Sequence, residues 1–232
     1  MARRILFCIA LLAMCLTAVL ACADCNCCNK LTAGEKMAGW KQLFDGKTLN
    51  DWKAGSKATG WTVENGAIMN TLSGGGMLAT VDGNYGDFQL AMDFNMEKAT
   101  NSGVFFHWTD LKDPVQTGIE MQVLDSAGKA KTDKHDCGAI YDCLAPKMDA
   151  AKPAGKWNHV VITCKGSMVI IDLNGKRVIS TNLARWTTPH QNPDGTPNKF
   201  NKAYKDMIQP GYIGLQDHGH KVWFKNIKIR TL

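Results

Sequence analysis

The chain has no internal repeat, no low-complexity block and no run of basic residues. Its lysines are scattered, so the basic stripe that a nucleic-acid surface needs is missing and that partner is excluded. No apolar run reaches the ~20 residues that cross a bilayer. Proline is scarce, and four of the seven fall between 182 and 210. Beyond Trp40 there is hardly any helical periodicity. What remains is ordinary for a globular protein: 45% hydrophobic and 21% charged residues over 232 positions, enough for a core that does not depend on disulfides.

The first residues account for much of the rest. Met1–Arg4 carries two arginines, and Ile5–Leu20 is apolar except for Thr17. A basic start, an apolar stretch too short to span and small residues after it form an export signal over residues 1–21. Val19-Leu20-Ala21-Cys22 fits a bacterial lipobox, with Cys22 lipidated; Ala21-Cys22-Ala23 also fits plain cleavage before Asp24. The cysteine directly after the apolar run favours the lipoprotein, exported to the periplasm or cell envelope and touching the membrane only through its lipid. The secreted soluble form is the alternative. Losing residues 1–21 removes Arg3 and Arg4 and no acid, so 25 basic residues face 21 acidic ones and +6 becomes +4. Cys25, Cys27 and Cys28 sit in a short tail that lacks the second ligand pair of a structural zinc site. Cys137 and Cys143, six apart, are candidates for a disulfide.

Residues 22–37 read as this tail plus a short helix, Thr32 and Glu35 having capping-box spacing. Residues 38–232 read as one β domain. Short alternating or apolar runs recur between Gly, Asn, Asp and Pro turns: Trp61–Val63, Gln89–Met96, Gly103–Trp108, Ile119–Leu124, His159–Cys164, Met168–Leu173, Ile213–Gln216 and Val222–Ile229. Asn65-Gly66 and Asn174-Gly175 are hairpin turns. About a dozen strands imply an all-β, two-sheet jelly-roll sandwich. Asn182–Pro210 has no clean strand, but its Trp186, His190, Phe200 and Tyr204 imply a loop folded over one rim.

Strand alternation supplies the candidate site. Phe105 and His107 should share a face, as should Glu120 and Gln122, Gln216 and His218, and Asp93 and Asn95. Asp217 should point away from its neighbours. A solvated outer face is the plain reading. The residue types argue for more, because His, Glu and Gln beside Trp108 and Trp61 suit a sugar, with hydroxyls at its edge and C–H bonds on its face.

Ten blocks fall in order: Trp40-x-x-Leu-Phe-Asp-Gly-Lys-x-Leu-x-x-Trp52, Trp61-x-Val-x-Asn-Gly66, Tyr85-Gly-Asp-Phe-x-Leu90, Asn101-Ser-Gly-Val-Phe-Phe106, Gly118-Ile-Glu-Met-Gln-Val-Leu-Asp125, Gly138-Ala-Ile-Tyr141, Gly155-Lys-Trp-Asn158, Leu173-Asn-Gly175, Gly214-Leu-Gln-Asp-His-Gly219 and Phe224-Lys-Asn-Ile227. Together they closely resemble the 3-keto-disaccharide hydrolase domain family, over about residues 38–232. The resemblance implies a concanavalin- or laminarinase-like jelly roll that cleaves glycosides already oxidised at C3. The ketone acidifies C2–H, a base removes that proton, the C1 group leaves, and water adds to the enone. An upstream sugar 3-dehydrogenase would then supply the small oxidised saccharide. Glu120 and His218 are the first candidates for proton transfer. His107, Gln122, Gln216, Asp125, Trp108 and Trp186 are candidates to hold substrate, with Asp93 and Asp217 behind them. A divalent metal is the candidate electrophile, with His107, Glu120 and His218 as ligands. The family pattern has Arg after Phe-Phe where this chain has His107-Trp108, which puts the role of His107 in question, and Cys137 and Cys143 lie outside that pattern.

Two rival functions remain. A laminarinase-type glycosidase uses Glu-x-Asp-x-x-Glu, but here Gln122 replaces the middle acid. A non-catalytic sugar-binding lipoprotein module would use the same fold, since function resides in the site.

Overall fold

The computed structural model describes residues 29–56, 60–71 and 76–232. The export signal, Cys22 and the Cys25–Cys28 tail lie outside the described residues. Thirteen strands run in chain order among the described residues: β1 Lys41–Gln42, β2 Trp52–Ala54, β3 Trp61–Glu64, β4 Ala67–Asn70, β5 Met77–Thr80, β6 Phe88–Met96, β7 Asn101–Trp108, β8 Ile119–Leu124, β9 Asn158–Lys165, β10 Met168–Leu173, β11 Lys176–Asn182, β12 Tyr212–Gln216 and β13 Val222–Thr231. Two short helices accompany them, α1 Ala33–Met37 and α2 Pro114–Thr117. Thr32 and Glu35 form the expected capping box at the start of α1. No helix among the described residues is long and apolar enough to cross a membrane.

The strands form two antiparallel sheets. The larger runs β11-β10-β9-β6-β13-β4-β3, with β1 beside β13; the smaller runs β2-β5-β12-β7-β8. Alternation explains the stacking. On β6, Phe88, Leu90, Met92, Phe94 and Met96 are buried, while Gln89, Asp93 and Asn95 are partly exposed. On the smaller sheet, Val104, Phe106, Ile119, Met121, Val123, Ile213 and Leu215 join them in one core. Each such side chain contributes roughly 1.5–3 kcal/mol by leaving water. The sandwich expected from the sequence is the fold observed.

The Asn182–Pro210 segment does fold over a rim. Trp186, Phe200 and Tyr204 are buried, with Tyr204 packed against both of the other rings. Cys137, Cys143 and Cys164 are all buried free thiols, so the candidate disulfide does not form. The stretch between Cys137 and Cys143 is held by single bridges from Ile140 to Met121 and Leu144.

One irregularity redirects the site. Tyr212 pairs with Trp108 and Gly214 with Phe105, so two residues of β7, Phe106 and His107, oppose Ile213 alone. This β-bulge, with His107 at φ 51, shifts the alternation by one. Phe105 and Trp108 therefore share the outer face of the smaller sheet with Met77 and Ala79.

Candidate active site

The site is built on the outer face of the smaller sheet. Gln122 on β8 pairs with Gly103 on β7, and Glu120 with Phe105. Gln216 on β12 pairs with Met77 on β5. Glu120, Gln122 and Gln216 thus rise from one surface, as alternation predicts. The Glu120 side chain folds back over Gly103, where a Cβ would lie 2.3 Å from Glu120 Oε1. Only glycine leaves that space free.

Glu120 is 7% exposed, and no hydrogen bond among the described residues reaches its carboxylate. Burial raises its pKa to about 7, against the opposing charge of Lys199. The two amides nearby are incompletely satisfied. Gln122 Nε2 donates to Asn101 Oδ1 at 3.0 Å, but the buried Oε1 atoms of Gln122 and Gln216 have no partner among the described residues. Buried acceptors are normally paired. A base with a near-neutral pKa beside two open acceptors is arranged to meet a polyhydroxylated ligand.

Two further residues adjoin Glu120. The Tyr141 backbone N–H donates to the Glu120 carbonyl oxygen at 3.0 Å. Burial raises the pKa of the Tyr141 phenol, and the charges of Glu120 and Asp142 add to it. The Tyr141 ring is flanked by His135 at 5.0 Å and by Lys199 Nζ at 4.1 Å. Lys199 is fixed from both sides of its backbone. Its N–H donates to Asp142 Oδ2 at 2.8 Å, and its carbonyl accepts from Gln116 Nε2 at 3.3 Å. Gln116 Oε1 also accepts from the Asn201 N–H at 2.8 Å, tying α2 to the long loop. Tyr141 closes the Gly138-Ala-Ile-Tyr141 block, a signal present in the sequence but not read as chemistry. Lys199 has no sequence signal, being one lysine in a polar loop.

The other candidates are distributed differently. His218 is exposed, just beyond the end of β12. It lines an open groove of about 450 Å³ with Gln216, Met77, Lys112, Pro114 and Val115. Asp217 turns inward as expected, accepting from Asn70 Nδ2 at 2.7 Å and from the Gly219 N–H at 2.9 Å. His107 does not share the Glu120 face. The bulge places its ring against Phe88 and Phe106, with Nδ1 donating to the Gln209 carbonyl at 2.7 Å. The expected metal set of His107, Glu120 and His218 therefore does not converge, and no group of three or more candidate ligands occurs among the described residues.

Trp108 is fully buried, its indole lying across Gly214 and Gly55. It is a floor beneath the outer face, not an open platform for a sugar ring. Trp186 is 3% exposed and donates to Asn192 Oδ1, so it belongs to the core of the long loop. Asp125 Oδ2 accepts from the Ala99 N–H at 3.0 Å and braces the turn between β6 and β7. Asp93 lies on the larger sheet, bonded to His159 and Asn226. Two further cavities lie along β11 and under the long loop, and Glu120 lines neither of them nor the groove beside Gln216.

Residues 39–230 match the model of the 3-keto-alpha-glucoside-1,2-lyase-like domain. A 3-keto-disaccharide hydrolase of Bacteroides thetaiotaomicron is 30% identical over 228 residues, covering 84% of this chain and 79% of that protein. A crystal structure from Parabacteroides distasonis, provisionally named a glycosyl hydrolase, is 34% identical with a TM-score of 0.75, covering 83% of this chain and 99% of the other. A second from the same organism is 29% identical with a TM-score of 0.73, covering 88% and 99%. A Bacillus subtilis protein with a galectin-like fold, 10% identical with a TM-score of 0.51 and coverage of 88% and 94%, shares the fold alone. With nearly the whole β domain matched, the chain belongs to the 3-keto-alpha-glucoside-1,2-lyase-like family, as a carbohydrate-cleaving hydrolase.

Proposed function

We propose that the protein cleaves 3-keto-glucosides by elimination followed by hydration, on the outer face of the smaller sheet. The observation that carries this reading is Glu120, a buried carboxyl with a pKa of about 7 whose carboxylate no hydrogen bond reaches among the described residues. Such a group is matched to taking a carbon-bound proton near neutral pH. It would remove the proton from C2, and the electron pair would move to the C3 oxygen as an enolate. Lys199 is the cation acting on Glu120 and would stabilise that oxygen. The C1–O bond then breaks, and the leaving oxygen takes a proton from His218, a reading supported by its position on the groove. Water adds across the enone, giving the free 3-keto sugar and the alcohol. Gln122 and Gln216 accept hydroxyls, and Tyr141 holds Lys199 in place. No step runs through a metal, because the ligand set does not assemble.

The chemistry has an isotopic signature. In heavy water, a 3-keto-disaccharide should yield a free sugar and a 3-keto sugar carrying deuterium at C2, which mass spectrometry and NMR would detect. Bond cleavage without C2 deuterium would overturn the elimination route; binding without cleavage would identify a sugar-binding module. We further propose that the chain is a cell-envelope lipoprotein anchored through Cys22 and acts after a sugar 3-dehydrogenase. The basic start, short apolar run and following cysteine support the anchor. An unmodified Asp24 at the mature N-terminus would remove it.

A further inference from the structure

The outer face has two unlike lobes on either side of the Glu120 carboxylate. On the β8 side are Gln122, Asn101, Tyr141 and Lys199, a polar and cationic set. On the other side is the open groove of about 450 Å³. Its apolar walls are Met77 on β5 with Pro114 and Val115 on α2, and its polar rim carries Ser56, Lys112, Asp113, Asp217 and His218. Gln216 lies at its junction with the Glu120 lobe, presenting a buried oxygen with no partner among the described residues. Beneath this part of the sheet the buried Trp108 packs against Gly55 and Gly214, in the space that side chains there would take.

We infer that this groove is the leaving-group subsite, and that it takes aglycones with an apolar face, aryl groups as well as sugars. This rests on the reading of Glu120 as the base. An enolate at C3 needs the cation, which assigns the ketosugar to the lobe holding Lys199. Gly103 is the only outer-face position between Gln122 and Gln216 on β7, and it carries no side chain, so a ligand can pass from one lobe to the other over the Glu120 carboxylate. The leaving half then meets Met77, Pro114 and Val115, which offer contact area and few directional hydrogen bonds. Such a surface discriminates weakly between aglycones of similar size. His218 at the rim is where the departing oxygen can be protonated.

The test compares methyl, glucosyl and phenyl 3-keto-glucosides as substrates of the wild type, Val115→Asp and Lys112→Ala. Thermal melts establish that each variant is folded. In the wild type, kcat/KM should be higher for the phenyl than for the methyl glycoside. Val115→Asp should reduce that preference about tenfold or more, mainly through KM, and Lys112→Ala should affect it less. An equal loss on all three substrates would overturn the subsite. A second measurement does not need turnover: saturation-transfer NMR with the unoxidised phenyl glucoside. The strongest saturation should fall on the phenyl protons and be lost in Val115→Asp. An even distribution, or one unchanged by the variant, would overturn the subsite. Failure of every 3-keto-glucoside to react would refute the catalytic reading, while the NMR result would still decide the groove.

Discussion

Glu120→Gln should make the protein less active and, at alkaline pH, more stable. Burial raises the Glu120 pKa from 4.5 to about 7. The folded state therefore binds this proton more tightly than the unfolded state does. The stabilisation from that proton is complete below about pH 4.5, declines as pH rises, and is lost above about pH 7. Each unit of difference corresponds to about 1.36 kcal/mol, so the ionised side chain costs the folded state about 3 kcal/mol at pH 8 relative to pH 4. Glutamine has nearly the same shape and does not titrate, so the variant keeps the packing and loses the pH dependence.

The measurement is the stability of wild type and variant from pH 4 to pH 9, by denaturant titration or thermal melting. The difference in favour of the variant should grow by about 3 kcal/mol between pH 4.5 and pH 7 and then level off. In a domain of this size that corresponds to a relative change in Tm of roughly 6–12 °C. A kinetic counterpart follows from the same pKa, since a base works when deprotonated: wild-type kcat/KM should climb with pH to a plateau above about pH 7. A stability difference that did not vary with pH would refute the burial argument and, with it, the reason for choosing Glu120 as the base.

Three other outcomes follow from the same geometry. Lys199→Met should lower kcat by about 10²-fold, the usual cost of one charge-stabilising donor, and should move the acidic limb of the pH profile to higher pH, because Lys199 holds the Glu120 pKa down; a profile that stayed in place would separate Lys199 from Glu120. Gly103→Ala puts a methyl group 2.3 Å from Glu120 Oε1 and 2.9 Å from its Cγ, so the whole buried side chain must shift; kcat should fall about 10²-fold, while the melt should show a folded protein destabilised by about 1–3 kcal/mol. His107 is held neutral by burial, its pKa lowered from 6.5. Its stabilising contribution is therefore present above that value and lost as pH falls below it, and its ring resonances in NMR should titrate below pH 6.5.

Period-two alternation read the larger part of this molecule. It placed the core, and it put Glu120, Gln122 and Gln216 on one face and Asp217 on the other. It failed where one extra residue enters a strand. Nothing around Phe106-His107 signals the bulge, neither Gly nor Pro, and His107 takes φ 51 despite its bulk. A single inserted residue inverts every later side chain, so His107 passed to the core side and Trp108 to the outer face. Asp93 shows a different limit. Its polar face is real, but alternation does not say which of two sheets a strand joins, and Asp93 bonds with His159 on the larger one.

The same bulge also builds the site. With regular alternation, the Trp108 indole would have entered the core, and His107 would have stood on the outer face beside Phe105. Displacing the register lays the indole over Gly214 and Gly55, where β-carbons would fall 2.9 Å and 2.4 Å from ring atoms. The bulge therefore depends on the glycines. Without them the indole has no room, while Gly55 and Gly214 are also crowded by Met77 and Phe105. The result is a partly apolar groove beside a polar well, on a sheet whose outer face would otherwise be ordinary solvated surface. Glu120 gains its burial in the same way, by lying in the space that Gly103 leaves. The chemistry assigned to this face thus depends on side chains that are absent from three positions, Gly103 and Gly214 on strands and Gly55 just past β2, as much as on the acids and amides that are present.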